Sequence, residues 1–157
     1  MNIFYLDNDP YVACTYLMDV HVRKMILETC QLLMTTDVLH GCDRPYKPTH
    51  INHPCRLALE NVNNYSWLCR YFKCICNEFV YRFGHHHVCE TYCDMYYHQP
   101  MHICNPTFPQ CMPDVFKRSS VIAGYRAYYQ NKYHLFSLRG IAGYTGRMVP
   151  YWLYNLY

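Results

Sequence analysis

A chain of 157 residues with 52% hydrophobic and 17% aromatic side chains has the material for one real core, and its formal charge of +3 is too small to demand a nucleic-acid partner. DNA binding is permitted by that balance, not required. No basic stretch followed by an apolar run opens the sequence and no segment approaches about 18 apolar residues, so neither secretion nor a membrane span is expected.

The first element in chain order is a long helix over residues 9–33. Asp9 suits the N-cap, Pro10 suits the first helical position, and apolar residues recur at helical spacing from Val12 to Leu33. His21, Lys24 and Glu28 fall on one half-apolar face, where they read either as a salt-bridged rim or as a catalytic or DNA-contacting face. Residues 36–54 then read as a loop, rich in Pro, His and Gly. Its Arg44, Lys47, His50 and His53 are polar for solvation or for an anionic partner. A short helical turn over 54–60 follows.

A second long helix is expected over 63–83, capped by Asn63 or Asn64 and ended by Gly84. Tyr65, Leu68, Phe72, Ile75, Cys76 and Phe79 form its apolar stripe, with Trp67 nearby and Arg82 on a flanking face beside Glu78. Residues 85–97 continue as a shorter helix, 99–113 are a Pro-rich connection, and 114–138 form another helix. There Tyr125, Tyr129 and Lys132 share a stripe, with Arg126 and Tyr133 beside it. Residues 140–157 make an aromatic tail through Tyr151, Trp152, Tyr154 and Tyr157 that should pack on the helices. The expected fold is therefore mainly α, a single helical domain over 1–157 with long first and second helices and an aromatic tail.

Eleven cysteines cannot all pair within one molecule, so most are expected as reduced thiols, several of them packed like small hydrophobes. The nearest metal template, a zinc knuckle, is approached by Cys89, Cys93, His98 and Cys104. Two of its three gaps differ, so no metal and no other cofactor is expected. There is no Gly-rich phosphate loop, no G-x-S-x-G elbow and no H-E-x-x-H.

Taken together, Met1-Asn2-Ile3-Phe4, Asp19 with His21-Val22 and Lys24-Met25, Leu27-Glu28, Gln31-Leu32-Leu33, Tyr46-Lys47-Pro48-Thr49-His50, Asn52-His53-Pro54, Trp67-Leu68, Arg82 with Gly84, Met112-Pro113 and Tyr125-Arg126 with Tyr128-Tyr129 and Lys132 resemble a family of short proteins of tailed phages and large DNA viruses. That family is itself often assigned by similarity to the pyrimidine-dimer DNA glycosylases, the endonuclease V-like enzymes of bacteriophage. The resemblance implies a small all-α enzyme with a carboxylate and basic residues on its first helix and an amine that forms an imine with the sugar. It also implies DNA as partner and a location inside an infected host cell. The glycosylase's carboxylate falls at Val20 here, so Glu28 takes that role, with Lys24 or the Met1 amine as nucleophile and His21 moving protons. Trp67, Tyr125 and Tyr129 would stack on an extruded base, and Arg82, Arg126, Lys132 and Arg147 would bind phosphates. Two other readings use the same residues or none of them: a viral DNA base hypermodification transferase, and a non-catalytic interaction protein with a Tyr-rich surface.

Overall fold

The computed structural model describes residues 2–96 and 106–154. All regular elements among them are helical: α1 (Pro10–Thr15), α2 (Asp19–Leu39), α3 (Pro54–Leu57), α4 (Val62–Phe83) and α5 (Val121–Leu138), with 3-10 turns at Ala58–Glu60, Val88–Tyr96, Asp114–Phe116 and Tyr151–Leu153. The mainly α expectation holds. No helix among the described residues is long and apolar enough to cross a membrane.

The centre of the fold is α4, which packs against both α1 and α2. Its inward face carries Trp67, Leu68, Tyr71, Phe72 and Ile75, all essentially without solvent contact, and meets Val22, Met25, Ile26 and Leu33 of α2. Burying each such side chain contributes about 1.5–3 kcal/mol. The non-helical segment Ile3 to Leu6 is equally buried and closes one side of the core. Tyr125 and Tyr129 of α5, with Trp152 and Leu153 from the tail, close another. Of the aromatic tail, Trp152 packs as expected while Tyr151 and Tyr154 are exposed; Tyr157 lies outside the described residues.

The ends of α4 follow the chain's capping chemistry. Asn61, not Asn63 or Asn64, is the N-cap, its Oδ1 accepting from the Asn63 N–H at 2.9 Å. Asn64 is instead spent on the 106–113 segment: its Nδ2 donates to the Ala58 and Thr107 carbonyls and its Oδ1 accepts from the Thr107 N–H. At the far end Gly84 takes φ +70, the left-handed cap expected of it.

The expected single helix over 9–33 is two helices. Asp9 does cap α1, accepting from the Tyr11 N–H at 2.8 Å, but the chain turns at Tyr16–Met18 and α2 then runs on to Leu39, through the first residues assigned to a loop. The turn is stable because distant side chains satisfy its backbone. Arg82 donates to the Thr15 and Leu17 carbonyls, Tyr144 to the Tyr16 carbonyl, the Met18 N–H finds the Tyr129 hydroxyl, and the Asp19 N–H finds the Gly143 carbonyl. The expected helix over 114–138 also divides, into a 3-10 turn and α5, because Ser120 caps α5 from within it. The expected helix over 85–97 is a 3-10 segment, Val88–Tyr96, with residue 97 outside the described residues.

Candidate active site

Lys24 and Glu28 are one helical turn apart on α2, and their charges meet at 3.2 Å. The lysine is well exposed, whereas only 13% of the Glu28 side chain remains accessible. Glu28 is held from its other side by the Asn2 backbone N–H, which donates to Oε2 at 3.1 Å. Asn2 in turn sends its side-chain Nδ2 to the Cys111 carbonyl at 2.9 Å and accepts from the Phe4 N–H. The first residues of the chain thus bridge α2 to the 109–112 segment. Phe4 sits at φ +51, a left-handed conformation that an aromatic residue adopts only when its surroundings fix it. Its ring packs on His21, Tyr128 and Tyr129, with centroids 4.7–6.3 Å apart.

Beside this bridge opens a cavity of about 520 Å³ lined by His53, Pro54, Pro109, Gln110, Cys111, Met112 and Lys117. It is an open hollow in the surface, not an enclosed pocket. His53 caps α3, its Nδ1 accepting from the Cys55 N–H at 3.1 Å, and burial lowers its pKa. The Cys55 thiol donates to Cys111 Sγ at 3.5 Å; that hydrogen bond pulls the Cys111 pKa down to about 7 and raises that of Cys55. Sequence reasoning did not group Asn2, His53, Cys55 and Cys111. The H-x-C spacing at a helix start was visible, but Cys111 is far along the chain and no local pattern ties it to the others.

The expected catalytic trio does not stay together. His21 turns into the core, 5% exposed, with Nδ1 2.7 Å from the Tyr129 hydroxyl. The same hydroxyl accepts the Met18 N–H at 2.7 Å. Burial, reinforced by the ammonium groups of Lys132 and Lys24, pushes the His21 pKa down to about 3. A neutral, buried imidazole of this kind is a packing residue and has no path to carry protons for a substrate.

The expected stacking residues are corrected likewise. Trp67, Tyr125 and Tyr129 are at most 1% exposed, so no ring face is open to a base. Trp67 Nε1 donates to the Asn8 carbonyl, Tyr125 donates to the Pro109 carbonyl, and the Tyr129 hydroxyl shares a hydrogen bond with His21 Nδ1. They are core aromatics whose polar tips brace loops.

Three of the four expected phosphate ligands are already occupied. The Arg82 side chain has no exposure and is bound by Glu78 Oε1 at 2.6 Å, Asp19 Oδ1 at 3.0 Å and the two carbonyls of the helix turn. Arg147 grips both oxygens of the same Glu78 at 2.9 and 2.7 Å. Arg126 donates to the Leu6 carbonyl and to Asp7, with its guanidinium over the Tyr16 and Trp152 rings. Lys132 differs: its ammonium lies 4.7 Å from the Tyr128 ring and 5.9 Å from that of Phe4, half-exposed on the side of the fold where Lys24 also acts on His21.

Of the knuckle-like residues, Cys89 and Cys93 are buried; His98 and Cys104 lie outside the described residues. Comparison of the chain with protein-family models, with curated proteins and with solved structures gives no match.

Proposed function

We propose that the protein is a DNA-acting enzyme of pyrimidine-dimer-glycosylase-like chemistry, a glycosylase with an associated lyase step, in which Lys24 and Glu28 do the work. The observation that carries this reading is the 3.2 Å pairing of an exposed amine with a carboxylate that is largely withdrawn from water and fixed by the Asn2 N–H. Glycosidic cleavage at a nucleoside needs that pair: an amine to attack the anomeric carbon and a carboxylate to stabilise the oxocarbenium-like centre. With one ammonium proton given up to water, Lys24 Nζ forms the bond to C1′ while the Glu28 carboxylate faces the oxocarbenium-like centre; the base leaves with the glycosidic electrons, and Glu28 then takes the second proton from the attacking nitrogen. Glu28 returns that proton to O4′ as the C1′–O4′ bond breaks, which gives the protonated imine; the regenerated carboxylate then removes a C2′ proton, and the 3′ phosphate leaves by β-elimination. Lys132, half-exposed with its ammonium near the Tyr128 ring, supplies positive charge for the backbone.

The test is trapping with borohydride on duplexes containing a cyclobutane pyrimidine dimer. Reduction of the imine should leave a stable secondary amine, and peptide mapping should place it on Lys24. Lys24→Ala should abolish the adduct, and Glu28→Gln should slow its formation by roughly 10²–10³-fold, the range for losing one electrostatic stabiliser. Absence of an adduct on damaged and undamaged DNA alike overturns the lyase reading. A base hypermodification transferase using the same pair would instead alter intact DNA and leave no abasic site.

A second reading has its own support. Tyr11, Tyr81, Tyr151 and Tyr154 are each more than half exposed, and Met148, 91% exposed, follows Arg147, whose guanidinium lies over the Tyr81 ring. Such a surface suits an interaction protein, for which neither DNA affinity nor a trapped adduct is expected.

A further inference from the structure

We propose that His53, Cys55 and Cys111 form a zinc site, with three protein ligands and a fourth position open to the adjoining cavity. The inference does not depend on the activity proposed above. One ligand atom from each residue lies within 4.8 Å of the other two, and the two sulfurs are 3.5 Å apart. Two thiolates on one tetrahedral zinc, with Zn–S near 2.3 Å, stand about 3.8 Å from each other. A disulfide would need about 2.05 Å. The sulfurs therefore already have the separation of an edge of the zinc tetrahedron.

The scaffold fixes these donors independently of any ion. Cys55 is in the first turn of α3 and fully buried, and His53 is the N-cap of the same helix. His53 Nδ1 accepts the Cys55 N–H, so a metal bound at Nε2 leaves this cap in place, whereas one bound at Nδ1 replaces it. The Cys111 backbone is pinned on both sides, its carbonyl by Asn2 Nδ2 at 2.9 Å and its N–H by the Tyr125 hydroxyl at 3.4 Å. Ligands held by such outer contacts are what give a metal site its geometry. Two thiolates and an imidazole select zinc over the hard cations, which prefer oxygen. His53 and Cys111 both line the cavity, so the fourth position faces space that a water or a ligand group fills. Among the described residues no other three potential ligands come this close; the Cys76–Cys93 pair, at 3.6 Å, lacks a third.

The test is a titration of the full chain, freed of metal with a chelator and kept under a phosphine reductant, with Co²⁺ alone. One Co²⁺ per chain should bind with the strong visible bands of a tetrahedral ion and thiolate charge-transfer absorption, and one equivalent of Zn²⁺ should bleach them. Cys111→Ser and His53→Ala should each weaken binding by more than about a hundredfold, the most that losing an outer contact alone would do. Cys93→Ser should leave the titration unchanged. Circular dichroism reports whether each variant folds, and either folded ligand variant decides the matter. No tetrahedral spectrum in the parent protein overturns the site. So does a spectrum kept in Cys111→Ser and lost in Cys93→Ser.

Discussion

At the scale of single residues, His21 shows how burial reassigns a chemical role. Spacing puts it on the Lys24 and Glu28 face, yet its ring packs against Tyr129 and Phe4 and is withdrawn from water. Its pKa then falls from an ordinary 6.5 to about 3. Between these values the unfolded chain binds a proton that the folded chain refuses, so stability is full above pH 6.5 and declines as the pH drops toward 3. The slope contributed by this one group is at most about 1.4 kcal/mol per pH unit. His21→Asn, which keeps a polar group near the Tyr129 hydroxyl but does not titrate, should flatten that acid limb. Urea midpoints measured from pH 7 to pH 4 check this, and an unchanged slope would show that other groups set the acid sensitivity.

Elements divide into those whose limits are written locally and those whose limits are not. The Asp9 and Gly84 boundaries are legible because the capping residue itself carries the signal. The turn at Tyr16–Met18 is not, since no Gly or Pro marks it and the groups that satisfy it come from residues 82, 129, 143 and 144. The same reason explains Arg147: the i, i+4 spacing of Glu78 and Arg82 declares their pairing, but not that Glu78, itself 2% exposed, also holds Arg147 from the loop after α5. Glu78→Gln should therefore be severe, because two guanidinium groups lose their counter-charge inside the fold. A loss of about 3–5 kcal/mol is expected, read as a fall in the denaturant midpoint. A change below about 1 kcal/mol would mean that Asp19 and the carbonyls alone hold Arg82.

For the whole molecule, the mainly α architecture and the apolar stripe of α4 could be read in advance, while half of the candidate site could not. Lys24 and Glu28 are near neighbours on one helix and declare themselves; Asn2 and Cys111 meet them only through tertiary structure. Most of the chain's modest excess of positive charge is also spent internally, as Arg82, Arg126 and Arg147 show. DNA binding by this protein is accordingly expected to be moderate, with Lys132→Ala lowering the salt dependence by about one unit in log K against log salt. A Lys132→Ala variant with an unaltered slope would remove that face from any DNA contact. The chain Thr145–Asp19–Arg82–Glu78–Arg147 has one more consequence. It knots the start of α2, the end of α4 and the loop after α5 at a single point, and Gly143 must lack a side chain there because a Cβ would stand 2.7 Å from Asp19 Oδ2. The α1–α2 turn is thus unfinished until the C-terminal third has been made. During synthesis the hydrogen bonds from Gly143 and Tyr144 that complete this boundary form only after those residues have been made.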